Sequence, residues 1–314
     1  MPSLTPENAI SNPLSRDQEP RWLVQDSDVE ARPDLAIVIV SWNVRELLQK
    51  NLISLQNSIG NFSAQVIVID NASKDGTVEE VRAQFPWVTV IANTENRGFA
   101  AACNQGIRAT HARHVLLLNP DMCVEADTIA NAIAYADTRP EGGIFGGLLL
   151  REDGSVLPSV RRFPDFASQL AVLLKVSRFF PRIMQRYLAE DLDNSREQEV
   201  DSVRGSFFLI HEKTLRALGG LDERYFIWFE EVDYCRRAHL SGFSVRFVPS
   251  LRAHDAFGKS FSQHRLFWKQ KQFSASLVTY FETWQPWWQA LILRTLRVPV
   301  LVGAWVYDEI LFSS

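Results

Sequence analysis

The chain has 314 residues, 46% of them apolar and 22% charged, enough to bury a full core as one large domain or one domain with an appendage. A net charge of −4 gives no footprint for a general nucleic-acid binder. Three cysteines, Cys103, Cys123 and Cys235, make neither an even disulfide framework nor a paired metal spacing, and read as small packed residues in a reducing compartment.

Residues 1–33 are polar and dotted with proline, without the basic-then-apolar order of a signal peptide, and read as a loosely attached leader. Leu35 to Val40 is a continuous apolar run that predicts a buried strand ending in Ser41-Trp42-Asn43, and Leu47, Leu48, Leu52 and Leu55 then repeat at helical spacing. Val66 to Ile69 predicts a second strand ending in Asp70-Asn71, with Asp75-Gly76 turning into a helix opened by Thr77. Val88 to Ala92 predicts a third strand, Phe99 to Ala109 a small-residue helix, and Val115 to Leu118 a fourth strand that delivers Asn119-Pro120-Asp121. This alternation predicts βαβ units and a parallel sheet, whose strand ends carry Asn43, Asp70, Asn96 and Asp121 into one nucleotide-sized crevice. No G-x-G-x-x-G follows the first strand and no G-x-x-x-x-G-K-[ST] occurs, so phosphates must be held in another way, and a divalent metal on Asp121 supplies one. A strand-ending aspartate in an ordinary turn is the bland alternative.

The second half changes character. Phe166 to Leu188 interleaves apolar residues with Lys175, Arg178, Arg182 and Arg186, and Pro181 should bend or break it; the pattern suits either an anionic lipid surface or a solvated helix. Val203 to Ile210 reads as a strand in which Gly205 marks a close backbone approach. Glu230, Glu231 and Asp233 follow Phe226-Ile227-Trp228-Phe229, and acids so crowded beside apolar walls acquire raised pKa values useful to a proton acceptor. On a helix, Glu230 and Asp233 lie one turn apart and Glu231 points elsewhere; an acidic N-terminal turn favoured by the helix dipole is the alternative. His254, after the expected strand Ser244 to Val248 and turn Pro249-Ser250, sits beside Asp255 and Gly258-Lys259-Ser260 as a candidate ligand. Trp284, Trp287, Trp288 and Trp305 crowd a C-terminal stretch in which Arg294 and Arg297 are expected to prevent any run of spanning length, leaving an interfacial segment or a helix packed on protein.

Taken in order, these motifs resemble the inverting family 2 glycosyltransferases, and within them the bacterial rhamnosyltransferase-like branch. The resemblance covers roughly Leu35 to Ser260: the opening strand to Ser41-Trp42-Asn43, the segment Val68 to Thr77, Asn96-Arg97-Gly98-Phe99-Ala100 with Asn104-Gln105-Gly106, Leu117 to Asp121, and Gly219 to Glu223 followed by Phe229 to Asp233. It implies an α/β GT-A fold, a Rossmann-like, mixed, mainly parallel sheet flanked by helices. Residues 34–125 would be the nucleotide-sugar half and 126–265 the acceptor half, with 266–314 a C-terminal helical, membrane-associated extension. It assigns Ser41, Asn43, Asp70, Asn71, Asn96, Gly98, Asn104 and Asn119 to the nucleotide sugar, and Asp121 with His254 to Mg²⁺ or Mn²⁺. Gly205, Ser206 and Trp228 fall to the acceptor, and Glu231, Glu230 and Asp233 to catalysis. Asn119 stands where the family's metal motif has its first Asp, and Glu231, the position of the general base, is a Glu where Asp is usual.

The resemblance further implies a dTDP- or UDP-sugar donor, rhamnose from dTDP-rhamnose first among them, and a glycan on a polyprenyl diphosphate as acceptor. The setting is the cytoplasm, peripheral on the inner face of the cytoplasmic membrane, with a homo-oligomer left open. No Q-x-x-R-W is present, against a processive synthase, and Ser41-Trp42-Asn43 is no triphosphate loop, against a nucleotidyltransferase. A non-catalytic scaffold is the alternative that the Glu231 replacement would fit.

Overall fold

A computed structural model describes residues 32–58, 63–255 and 263–312, so all of the expected leader but its last two residues, and Gly258-Lys259-Ser260, lie outside the described residues. The first half is strand–helix alternation: β1 (Leu35–Ser41), α1 (Arg45–Ser58), β2 (Ala64–Asp70), α2 (Thr77–Gln84), β3 (Thr89–Ala92), α3 (Phe99–Arg108), β4 (His114–Leu118) and the short β5 (Met122–Val124). Then come α4 (Thr128–Asp137), β6 (Gly143–Leu150), β7 (Val156–Leu157), β8 (Val160–Arg161), α5 (Phe166–Leu173), α6 (Pro181–Tyr187), β9 (Gln198–Glu199), β10 (Ser202–Val203), β11 (Phe207–Ile210), α7 (Glu212–Leu218), α8 (Glu230–Leu240) and β12 (Ser244–Asp255). Two long helices close the chain, α9 (Leu266–Trp284) and α10 (Trp287–Phe312).

Ten strands form the main sheet, in the order β3-β2-β1-β4-β11-β6-β12-β5 with β7 and β9 at its margins. β1, β2, β3 and β4 pair in parallel, β11 runs against both β4 and β6, and β12 is parallel to β6. The sheet is mixed and mainly parallel, and it runs without a break across both expected halves. Alternate residues of β1 explain its unbroken apolar sequence: Leu35, Ile37 and Ile39 pack under α1 and α4, whereas Ala36 and Val38 pack under α3 and α8. A third cluster joins α5, the Tyr225–Val232 stretch, α9 and α10.

Four expectations of the fold need correction. Val203 to Ile210 is not one strand, because the chain leaves β10, which pairs with β8 in a separate small sheet, and crosses at Arg204-Gly205-Ser206 before entering β11. Pro249-Ser250 is no terminal turn but part of an irregularity within β12, whose register on β6 shifts between Val248 and Arg252. His254 therefore lies inside the strand, opposite Cys123 of β5. The helix α10 runs unbroken past Arg294, Arg297 and Pro299, and Trp287–Leu311 is a 25-residue stretch long and apolar enough by composition to cross a bilayer. The two arginines are spaced so that most of the stretch stays apolar. Pro181 does not break a helix midway but opens α6, where its missing N–H costs nothing; the break precedes it, between Leu173 and Pro181.

Candidate active site

The carboxyl ends of β1, β2 and β4 meet as expected. Asp70 is buried; one carboxylate oxygen accepts from the Ser73 amide at 2.9 Å and the other has no hydrogen-bond partner. The buried Ser41 hydroxyl beside it is likewise unsatisfied. Buried polar atoms are normally paired, so such atoms at strand ends are what a ligand would complete. Asn43 and Ala72 hold positive φ angles of 51° and 65°, which bend the chain sharply out of β1 and β2. Asn43 Oδ1 accepts from the Lys74 amide at 2.7 Å, fixing one turn against the other.

Gly98 joins this floor to the acceptor side. Its φ is +84°, and a Cβ there would stand 2.6 Å from the Phe226 carbonyl oxygen, which instead accepts from the Phe99 amide at 2.7 Å. Asn96 Oδ1 accepts from the Gly98 amide at 3.0 Å and so shapes the turn itself. Asn71 and Asn104, expected at the nucleotide sugar, both make hydrogen bonds within the protein. Asn71 donates to the Gly98 carbonyl at 3.2 Å and accepts from Asn93 at 2.9 Å. Asn104, fully buried, exchanges two 2.8 Å hydrogen bonds with the backbone of Leu221 and donates to Glu223 at 2.9 Å. An amide with both ends engaged to protein has little left for a nucleotide.

On the other side, Trp228 and Phe229 hold φ of 66° and 72°, costly for bulky residues, and launch α8 directly into the acidic cluster. Glu230 is 4% exposed, with Oε2 unsatisfied, and burial reinforced by the charge of Glu231 pushes its carboxyl well above the usual range. Glu231 is half-buried and its Oε2 is also unsatisfied. Burial raises its pKa too, but backbone hydrogen bonds and the positive charges of Arg204 and Arg161 pull it back. Both adjacent acids are thus pushed above the usual carboxylate range by burial, Glu230 further, while Arg204 and Arg161 oppose the shift only at Glu231. Asp233, expected with the two glutamates at the catalytic cluster, is bonded to Arg237 of its own helix and to Trp284 of α9. Its Oδ2 accepts from Arg237 at 2.9 Å and its Oδ1 from the Trp284 indole at 2.8 Å, pinning α8 to α9.

The Arg204-Gly205-Ser206 crossing explains the remaining acceptor-side expectations. A Cβ on Gly205 would meet that of Glu231 at 3.5 Å, so the close approach expected there is to the Glu231 stem. The Ser206 carbonyl accepts from the Asn119 amide at 3.0 Å, and its buried hydroxyl is unsatisfied, bringing this crossing onto the Asn119-Pro120-Asp121 turn. Trp228 packs edge-on to Phe273 and near Trp268 of α9, forming the wall beside the acids.

Asp121 is 8% exposed and immediately precedes β5, where Met122 pairs with Asp255 and Cys123 with His254, so Asp121 and His254 share one corner of the sheet. His254 Nε2 lies 3.3 Å from Glu125 Oε1. Among the described residues, no group of three or more His, Cys, Asp or Glu side chains is arranged to hold a metal by itself.

A family model described as glycosyl transferase family 2 matches residues 36–218, more than half of the chain. The chain belongs to glycosyltransferase family 2. It is a glycosyltransferase, and its acid pair and His254 lie beyond the matched stretch. It is 29% identical over 283 residues to an N-acetylglucosaminyl-diphospho-decaprenol L-rhamnosyltransferase of Mycobacterium tuberculosis, covering 84% of this chain and 89% of that protein. It is 26% identical over 247 residues to the rhamnosyltransferase WbbL of Escherichia coli, covering 73% and 88%. In fold it is similar to a mannosyltransferase of Pyrobaculum calidifontis in complex with GDP-Man and Mn2+, with a TM-score of 0.56 at 19% identity over 90% of this chain and 78% of that one.

Several residues of the glycosyltransferase site escape a sequence reading. Asn51 is fully buried in α1, and its amide donates to the carbonyls of Asn119 at 3.1 Å and Met122 at 2.7 Å, fixing the turn that carries Asp121. Its signal was a polar residue in the apolar stripe Leu48, Leu52, Leu55. Arg204 Nη1 lies 3.8 Å from the buried Asp255, linking the end of β12 to Glu231. Arg161 comes from β8, far away in sequence, with no motif to announce it. Trp42, His264 and Trp268 stack face to face, at centroid separations of 4.6 and 3.5 Å, carrying α9 onto the end of β1.

Proposed function

We propose that this glycosyltransferase moves a sugar, rhamnose from dTDP-rhamnose, to a hydroxyl of a polyprenyl-diphosphate-linked glycan with inversion at the anomeric carbon. The observation that carries the reading is the acid pair at the start of α8: Glu230 and Glu231 each keep an unsatisfied Oε2, and the Glu231 stem lies against the Gly205 crossing, which is bonded to the Asn119-Pro120-Asp121 turn. The rhamnosyltransferase names of the relatives, one of them acting on a decaprenol-linked diphosphate sugar, support the donor and acceptor. The reaction takes place on the inner face of the cytoplasmic membrane, with the enzyme attached peripherally.

The acceptor hydroxyl oxygen forms its bond to the anomeric carbon as the bond from that carbon to the diphosphate oxygen breaks, and the bonding pair leaves with the diphosphate. Glu231 accepts the hydroxyl proton, and Glu230 stays neutral behind it, so the pair carries one negative charge before transfer rather than two. Asp70 and Ser41 receive the nucleoside, on atoms left open at the ends of β2 and β1. Asp121 and His254 fit a hard divalent cation, Mg²⁺ or Mn²⁺. The nearly buried Asp121, on a turn braced by Asn51, and His254, in the strand paired with β5, are the residues that would hold it. Such an ion, when bound, offsets the charge developing on the leaving diphosphate.

The reading is tested by calorimetric titration of dTDP, UDP and GDP with and without Mg²⁺ or Mn²⁺. Metal-dependent binding of dTDP above the others is the expected result. Preference for UDP would change the donor, and no binding of any would favour a non-catalytic scaffold.

A further inference from the structure

We propose that α10 lies flat in the headgroup layer of an anionic bilayer, with the adjoining stretch 174–186 as its electrostatic contact; this rests on the lipid-linked acceptor of the proposed function and assigns the surface that meets the lipid. α10 is one-sided. Ala290, Leu293, Ala304 and Asp308 recur at helical spacing and are buried against the protein. Trp287, Leu291, Val298, Val302 and Trp305, each at least 52% exposed, lie on an arc roughly 100° round the helix from that buried line, interrupted between Leu291 and Val298 by the exposed Arg294 and Thr295. Five large apolar side chains exposed along one helix are more than the scattered single residues of a soluble surface. Tryptophans stand at both ends of the arc, Trp287 with Trp288 and Trp305 followed by Tyr307, where indole and phenol rings suit the boundary between acyl chains and headgroups.

Length and composition alone would let α10 cross a membrane, but its partner prevents that. Asp308, 4% exposed near the far end of α10, accepts from the Leu266 and Phe267 amides at 3.1 and 2.8 Å, capping α9 at its first turn. The two helices are therefore tied antiparallel along their length, and a crossing α10 would drag the Lys269 and Lys271 of α9 with it. In-plane burial of the exposed arc leaves that pairing intact.

The choice of lipid over a second protein rests on charge and continuity. Residues 174–186 contain four cations (Lys175, Arg178, Arg182, Arg186) and no acid, in a chain whose net charge is −4. Phe179 and Phe180, 63% and 46% exposed, project among those cations. The stretch begins where α5 leaves α10, because Phe166 of α5 packs on Trp288 at 5.4 Å and Leu173 shares a cluster with Leu293. Basic residues around exposed aromatic rings, on the segment that follows the helix packed on α10, match an anionic headgroup layer.

The test is co-sedimentation of the full chain with vesicles of phosphatidylcholine alone or mixed with phosphatidylglycerol, alongside light scattering for oligomeric state. The full chain is expected to pellet with the mixed vesicles and to be released by salt. Replacing Lys175, Arg178 and Arg182 by Ser should weaken binding to them by about fivefold per cation removed. Val302→Glu with Val298→Glu should abolish pelleting while leaving transfer to a water-soluble short-chain acceptor unchanged. A chain that stays in the supernatant with both vesicle types overturns the assignment, as does a dimer that the two Glu substitutions dissociate. Transfer to the soluble acceptor is read separately, so its loss in the wild type with vesicle binding retained would count against the proposed reaction and not against this surface.

Discussion

Gly98→Ala tests how closely the donor floor and the acceptor loop are joined. Gly98 has φ 84° and ψ 170°, a region essentially reserved for glycine, where a side chain costs about 1–3 kcal/mol. The added Cβ would meet the Phe226 carbonyl oxygen at 2.6 Å and the Phe226 ring at 2.8 Å, and forced overpacking of this kind costs a further ~1–3 kcal/mol. Relief requires moving the Phe226 peptide, which gives up its 2.7 Å bond from the Phe99 amide, worth about 1 kcal/mol. The sum is on the order of 4 kcal/mol, a large share of the roughly 5–15 kcal/mol that holds a domain folded. Gly154→Ala is an internal control: φ is +80° but nothing lies within 4 Å of the added atom, so only backbone strain of about 1–2 kcal/mol is expected. Urea unfolding of both variants gives the two costs, and kcat reports whether the loop feeding Glu230 and Glu231 has moved. A Gly98→Ala cost no larger than that of Gly154→Ala, with kcat unchanged, would refute the claim that this contact sets the acid pair against the donor floor.

Three further outcomes follow from single contacts. A carboxyl held above its unfolded pKa of about 4.3 stabilises the fold fully below that pH and loses the contribution as pH rises through the folded value, so Glu230→Gln should gain Tm relative to wild type from pH 4 to pH 8; a difference constant with pH would contradict the burial argument. Trp284→Phe removes the 2.8 Å indole bond to buried Asp233 and should cost about 1–3 kcal/mol in urea unfolding, whereas a cost near zero would mean that Asp233 does not pin α8 to α9. Asn51→Ala frees the carbonyls of Asn119 and Met122 and should weaken metal-dependent nucleotide binding by calorimetry roughly tenfold, about 1.4 kcal/mol, with unaltered affinity counting against its bracing of Asp121.

The sheet's donor half was legible because buried parallel strands are continuous apolar runs, and β1, β2 and β4 are read from Leu35–Val40, Val66–Ile69 and Val115–Leu118 nearly to the residue. The acid pair was legible as a cluster, but the difference in surroundings within it was not, since the charges of Arg161 and Arg204 act on Glu231 from distant parts of the sequence and leave no local pattern. The protein partners of Asn104 and Asn71 were not legible for a related reason. A buried asparagine that clamps two loops and one that faces a ligand have the same sequence signature, and only the engaged amide atoms tell them apart. In the second half, β12 was cut short because Pro249-Ser250 reads as a turn, whereas pairing on β6 and β5 carries the strand through it to Asp255. For α10, counting charges underestimated a helix that runs on past Arg294 and Arg297, its buried face resting on α9.

The central claim is that Glu231 takes the acceptor proton and Glu230 does not. Steady-state transfer from dTDP-rhamnose to a lipid-linked acceptor, measured for Glu231→Gln and Glu230→Gln with donor affinity read in parallel, tests it most directly. The account predicts that Glu231→Gln loses transfer by at least the 10²–10⁴-fold typical of a removed general base while donor affinity stays unchanged, and that Glu230→Gln keeps most of its rate. Full activity in Glu231→Gln, or the larger loss in Glu230→Gln, would contradict it.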